Sequence, residues 1–214
     1  MEEKIGALVL VLLIFSLAVS LLPVRIRYHK ETPSLSIPGT YERKILSQAV
    51  LAVDFGQIVV IRDPSTDTAY VKVSGTPVRA DGFIETSFGR IVLHAPKDWK
   101  GSLDANVRFG SVQLRDPDLS QATISVNTGE VEGRLRCSGD LRVNVERGSV
   151  KLYVEVPKGY KVHIKLDSFD GIVYYDGKMF KGTHIDKVVG VGEKALTINI
   201  SASSIELDVR TWRE

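Results

Sequence analysis

From about residue 48 onward, hydrophobic and polar positions alternate in short runs. Val107 and Phe109 are set against Asn106 and Arg108, Ile124 and Val126 against Ser125 and Asn127, and Val143 and Val145 against Asn144 and Glu146. A period of two predicts strands with one dry face, and no helical stretch intervenes. The alternation is punctuated by a recurring phrase: Phe55-Gly56-Gln57-Ile58-Val59-Val60, Phe88-Gly89-Arg90-Ile91-Val92-Leu93 and Phe109-Gly110-Ser111-Val112-Gln113-Leu114. It continues more loosely as Thr128-Gly129-Glu130-Val131, Arg147-Gly148-Ser149-Val150, Phe169-Asp170-Gly171-Ile172 and Ala202-Ser203-Ser204-Ile205. Aligned on the aliphatic residue, the copies fall at positions 58, 91, 112, 131, 150, 172 and 205, with middle steps of 21, 19, 19 and 22 and outer steps of 33. Seven copies at such spacing are an internal repeat.

The phase of the alternation changes at each glycine. Around Gly148 the apolar positions are Val143, Val145 and Val150, and the step across the glycine is odd. Only a turn of the backbone keeps both flanking arms facing one interior, and glycine reaches the positive φ that such a turn needs. Gly56, Gly89, Gly110, Gly129 and Gly148 are therefore the expected corners, with Asp170 and Ser203 taking that place in the looser copies. The expected fold is all-β: a single parallel β-solenoid of about seven coils over residues 48–210, its coils about 4.8 Å apart. The long outer steps, one with Pro64 and Pro77 and the other with Gly177, Gly182, Gly190 and Gly192, read as insertions or caps at the open ends. A β-sandwich is the alternative that regular short strands also fit.

The N-terminus has another character. Ile5 to Val24 is twenty residues without a charge, fourteen of them Leu, Ile, Val or Phe. A helix of that length spans the roughly 30 Å hydrocarbon core of a bilayer, and its insertion gains roughly 4 to 8 kcal/mol. The expectation is a signal anchor over 5–24, after a flank at 1–4 and before a linker and lead-in segment at 25–47, with a tail at 211–214. A cleaved signal peptide is the competing reading, with Ala18-Val19-Ser20 as its cleavage site, but the apolar run continues past that point. Arg25, Arg27 and Lys30 follow the run, a bias that by itself favours a cytoplasmic β domain.

Charge narrows the partners. Twenty-eight Lys and Arg against 26 Asp and Glu leave +2, with no basic block interleaved with aromatics, so nucleic acid is not an expected partner. Cys137 is the one cysteine, and no intrachain disulfide can form.

Three features together resemble the bacterial and archaeal putative-adhesin family of toast-rack β-solenoids. They are the Gly-x-Ile/Val-x-Leu/Val phrase, the proline-led coil starts Pro96-Lys97-Asp98-Trp99-Lys100 and Pro157-Lys158-Gly159-Tyr160-Lys161, and the run from Gly190 to Ile200 followed by Ser203-Ser204-Ile205-Glu206-Leu207. The resemblance covers roughly residues 48–210. It implies architecture and an envelope location, and transfers no catalytic residue. Ser203 stands where the family has glycine.

Candidates for chemistry are few. His29, His94, His163 and His184 are scattered, without metal-ligand spacing, and no cofactor is expected. Asp116-Pro117-Asp118 is the best carboxylate pair for acid–base work on a polysaccharide, and also ordinary turn chemistry. Gly190-Val191-Gly192 precedes a strand rather than a helix, so it reads as a turn. Cys137 has no partner histidine in view, and the triplet Asn199-Ile200-Ser201 falls inside a predicted strand. On the wet faces Asn106, Ser125, Asn127, Asn144, Asn199 and Ser201 recur, suited either to side-chain ladders or to an extended partner such as a glycan or another envelope protein. The leading expectation is a non-enzymatic, membrane-anchored, cell-surface interaction or adhesin-like scaffold. The alternatives are a self-assembling scaffold on the cytoplasmic face and a polysaccharide-active enzyme.

Overall fold

A computed structural model describes residues 39–45, 47–79 and 83–212. The run at 5–24 expected to cross a membrane lies outside the described residues. Among them there is no helix long and apolar enough to do so. The described part is all-β: β1 (Gly39–Lys44), β2 (Gln48–Arg62), β3 (Tyr70–Arg79), β4 (Ile84–Ala95), β5 (Ser102–Leu119), β6 (Gln121–Cys137), β7 (Leu141–Pro157), β8 (Tyr160–Tyr175), β9 (Lys178–Val189), β10 (Lys194–Ser201) and β11 (Ser204–Trp212).

The strands are too long to be straight. β5 has 18 residues and would extend about 60 Å at roughly 3.3 Å per residue. Yet after the single residue Ser120 the chain begins β6, whose Gln121 lies beside Ser102 in a parallel ladder. Ser120 N–H also donates to the Gly101 carbonyl at 3.0 Å. The strand has therefore come full circle in 19 residues, and β6 repeats the circuit, since Ala122 pairs with Leu141 of β7. Each long strand is a coil around a dry interior, and neighbouring coils bond to one another edge to edge.

The glycines explain how a coil bends without exposing its core. Gly56, Gly89, Gly110, Gly129 and Gly148 have φ between +144° and +149°, and across this point the buried positions change phase, from Val107 to Val112 in β5. The five glycines also form a column in which a Cβ on each would overlap a carbonyl oxygen of its neighbour: Gly129 against Gly110, Gly110 against Gly56, Gly56 against Gly89. No L side chain combines that backbone with that contact. Inside, one continuous core runs the length of the stack, from Ala49, Leu51 and Ile58 through Leu103 and Val112 to Ile164, Ile198 and Leu207, all at most 2% exposed.

The stack adds one feature that repeats alone do not reveal and corrects one expectation. The coils do not stack in chain order. The spatial sequence is β1-β3-β4-β2-β5-β6-β7-β10-β8-β11, with β9 on β8. The first phrase, in β2, thus sits between the second, in β4, and the third, in β5. Likewise β10 and β11 insert between β7 and β8. The long outer steps are what permit this, because each carries a strand that pairs antiparallel at an end of the stack: β3 on β4, with β1 beyond it, and β9 on β8. The sheet accordingly begins at Gly39, inside the segment read as a linker.

The correction concerns Asp170. Ile205 lies opposite both Val150 and Gly171, and Phe169 N–H donates to Ser203 O at 3.1 Å, as Ser203 N–H donates to Gly148 O at 3.1 Å. The corner position of β8 is therefore Phe169, not Asp170, and Gly171 rather than Ile172 faces inward. Neither Asp170 nor Ser203 has positive φ. The cause is a shorter arm. Val143, Ile200 and Leu166 are in register, but Gly148 stands five positions after Val143, whereas Ser203 stands three after Ile200 and Phe169 three after Leu166. The missing residues leave an open cleft of about 240 Å³ between Asn144–Glu146, Asp167–Phe169 and Ser201–Ser203.

Candidate interaction surfaces

The wet sides of the two arms of each coil behave differently. Past the corner, outward side chains bond from coil to coil. Gln57 Nε2 donates to Ser111 Oγ at 3.1 Å, Gln113 Nε2 to Glu132 Oε1 at 2.8 Å, and Lys151 Nζ meets Glu206 Oε2 at 2.9 Å. Before the corner, among the described residues, such bonding is confined to His163 of β8 with Asp186 of β9, and the central coils lack it. Asn106, Ser125, Asn144 and Ser201 occupy one row across β5, β6, β7 and β10. Among the described residues none of these four side chains has a hydrogen-bonding partner, so the ladder reading does not hold for them. Asn199 belongs to the next row, with Asp104, Thr123 and Arg142. Asn127 sits at the corner, in neither row. Of the six residues singled out from the sequence, four share one face line.

A second exposed line was not legible as such. Phe88, Phe55 and Phe109 stack in spatial order at the corner, with ring centroids 5.1 and 4.9 Å apart and planes within 9°. They remain 59%, 43% and 41% exposed. The signal was the Phe-Gly of the phrase, but alternation assigns Phe109 to the dry face, and the corner turns it out. The Arg108 guanidinium lies 5.7 Å from the Phe109 ring centroid.

The third surface lies beyond the corner, where Arg62, Lys97, Arg115, Arg134, Arg136 and Asp116 line an open cleft of about 600 Å³ with Ile61 and Pro64. Glu155, 7% exposed, anchors it: Arg134 Nη2 donates to Oε1, and Arg136 Nε to Oε2 at 2.8 Å. Burial by itself would raise the Glu155 pKa, but the two guanidiniums outweigh it and hold the carboxyl below its ordinary value. Arg134 also meets Asp116 Oδ1 at 3.2 Å and packs over Tyr153, 4.6 Å from its centroid, as Arg210 does at 5.1 Å. This cleft escaped the sequence reading because its residues are dispersed along the chain. Counting from the corner glycines would have found it: Arg115 and Arg134 both stand five residues past their corner.

The remaining candidates are spread apart. Asp116, at φ +56°, lies at the irregularity between Arg115 and Asp118 and holds Arg134. His94 Nδ1 is 2.9 Å from Asp63 Oδ2 and its ring stacks on Tyr70. Asp63 is held below its ordinary pKa by hydrogen bonds from Ser65 and then by His94. His163 Nε2 is 2.6 Å from Asp186 Oδ1, tying β8 to β9. Among the described residues no group of three or more metal-ligating side chains comes together. Cys137 is buried, its Sγ 3.1 Å from Gly139 O, and burial pushes the thiol up to about 11. Gly190 and Gly192 pack on the turn at Gly159–Tyr160.

No family model matches the sequence, and no curated protein matches it. Among solved structures, the chain is similar to a "putative cell adhesion protein" from Clostridium sporogenes, with a TM-score of 0.54 and 15% identity over 82% of this chain and 100% of that one. The likeness shows a shared fold. "Putative adhesins" from Parabacteroides merdae and Bacteroides fragilis align at TM-scores of only 0.23 and 0.22, with 10% and 9% identity, over 80% and 81% of this chain and 95% and 96% of theirs.

Proposed function

We propose that this chain is a non-enzymatic β-solenoid, anchored in a membrane by residues 5–24, that acts as a cell-surface interaction or adhesin-like scaffold. The observation that carries the reading is the unpartnered row of Asn106, Ser125, Asn144 and Ser201. Ordinary coil-to-coil bonding would satisfy such side chains, as it does past the corner. Left bare at about 4.8 Å intervals, their amides and hydroxyls offer repeated donors and acceptors to an extended partner such as a glycan or another envelope protein. The shared fold with the Clostridium sporogenes protein, named for cell adhesion, agrees with this.

The test joins location with binding. Cells expressing the full chain with a C-terminal tag are treated with protease, intact and lysed, and their adhesion to immobilised envelope glycans and envelope proteins is measured. Loss of the tag from intact cells, with adhesion reduced at least tenfold by Asn106→Ala with Asn144→Ala, is the expected result. Both residues are exposed, so stability should stay within about 0.5 kcal/mol. Tag loss only after lysis, or unchanged adhesion, overturns the proposal.

The Arg25, Arg27 and Lys30 flank favours the second reading, a self-assembling scaffold on the cytoplasmic face. Against it, antiparallel strands close both ends of the parallel stack, and the outer strand β9 carries Lys178, Lys181 and Lys187, charges that discourage edge-to-edge growth.

A further inference from the structure

We infer that the cleft past the corner binds an acidic polysaccharide, a polymer bearing a carboxylate or sulfate on successive sugars. This rests on a different surface from the adhesion row and on charge rather than neutral polar groups.

Five cations converge there. Asp116 is the carboxylate in the lining against these five cations. Glu155 and Asp118 lie beside Arg134 and Arg136, and of the chain neighbours Asp63 and Asp98 the first is engaged by Ser65 and His94, so the lining itself is positive. Arg62 and Lys97 have no ion pair among the described residues, and Arg115 donates to the neutral Gln113 side chain at 3.2 Å. The cations do not form a random patch. Lys97 follows β4, Arg62 ends β2, Arg115 is on β5, and Arg134 and Arg136 are on β6, four consecutive positions in the stack. At about 4.8 Å per coil they make a line roughly 14 Å long, with a repeat comparable to the length of one sugar residue.

The guanidiniums of Arg134 and Arg136 are also held in place. The nearly buried Glu155 grips both from beneath and Tyr153 supports Arg134, so little side-chain freedom is lost when an anion docks. Forked guanidiniums suit planar carboxylate and sulfate. A single-stranded nucleic acid would need open aromatic platforms for its bases, but guanidiniums pack against the nearby rings, Arg134 and Arg210 against Tyr153 and Arg136 against Trp212.

The test uses the full-length chain in detergent with polygalacturonate, chondroitin sulfate, uncharged dextran and a single-stranded oligonucleotide as probes. Arg62→Gln, Lys97→Gln and Arg115→Gln are combined, because these three leave no carboxylate orphaned. The expected result is binding to the two acidic polymers that weakens with salt, no binding to dextran, and about fivefold loss for each cation removed, on the order of 100-fold for the triple variant. A control triple elsewhere, Arg142→Gln, Lys161→Gln and Lys165→Gln, should lose less than fivefold. Equal losses in the two triples, unchanged binding in the first, or tighter binding of the oligonucleotide than of either polymer each overturn the inference. Far-ultraviolet circular dichroism checks the fold of both variants. Asn106→Ala with Asn144→Ala should leave polygalacturonate binding unchanged, which separates failure of this site from failure of the adhesion row.

Discussion

The glycine column makes a quantitative claim that two matched substitutions can test. Gly129 and Gly159 both have positive φ, +144° and +84°, so an alanine at Gly159 is conformationally strained by about 1–2 kcal/mol, and at Gly129, farther from the left-handed α region, by at least that. Their surroundings differ. A Cβ at Gly159 meets nothing within 4 Å, whereas at Gly129 it would overlap the Gly110 carbonyl oxygen. That oxygen belongs to backbone bonded into the coil ladder and cannot swing aside, so overpacking adds about 1–3 kcal/mol. Gly129→Ala should therefore cost about 2–5 kcal/mol in all. With a urea slope of roughly 2 kcal/mol per M, the unfolding midpoint should fall by about 0.5–1 M for Gly159→Ala and about 1–2.5 M for Gly129→Ala. Urea titration followed by circular dichroism reads both. Equal midpoint shifts would show that strained φ alone is at work and that coils do not touch at their corners as described.

Three further outcomes follow from the geometry. Phe55 stacks on two rings and Phe88 and Phe109 on one each; at about 0.5–1.5 kcal/mol per pair, Phe55→Ala should destabilise more than either neighbour's alanine variant, measured by thermal unfolding. Glu155 has a pKa below its ordinary 4.5 when folded, so its contribution is complete above that value and is lost as pH falls through the lower folded pKa. The stability gap between wild type and Glu155→Gln, about 1–3 kcal/mol at pH 7 after allowance for the partly exposed arginines, should thus narrow in acid, as urea titrations at pH 7, 5 and 3 will show. Cys137, buried with its pKa near 11, should resist a maleimide in the native protein and react at once in concentrated urea.

What the sequence disclosed was local in origin. Alternation and the odd step at each glycine depend on a few adjacent residues, and they located the arms and the five glycine corners. Stacking order was hidden because Phe55-Gly56 and Phe88-Gly89 offer near-identical edges to Phe109-Gly110. The 33-residue step announces an excursion without saying on which side the chain returns. Asp170 was misplaced for a related reason. Phe169-Asp170-Gly171-Ile172 imitates the phrase, while the arm before it is two residues short, a fact visible only when Leu166 is set beside Val143 through Ile200. The cationic cleft was invisible to a net charge of +2, since its cations are gathered by stacking rather than by proximity along the chain.

The two arms of the coil thus divide their polar positions by what surrounds them. Past the corner, pairs such as Gln113–Glu132 and Lys151–Glu206 bond coil to coil, and where the pairing stops, at Arg62, Lys97 and Arg115, charge accumulates in a line. Before the corner the Asn106 row is left bare, although amides in register could have formed the same ladders. Both lines run along the stack, perpendicular to the strands, and any partner reading either must itself be extended. With β1 and β3 at one end and β9 at the other, antiparallel strands flank the parallel stack, and the two lateral lines are the surfaces on which the proposed roles rest.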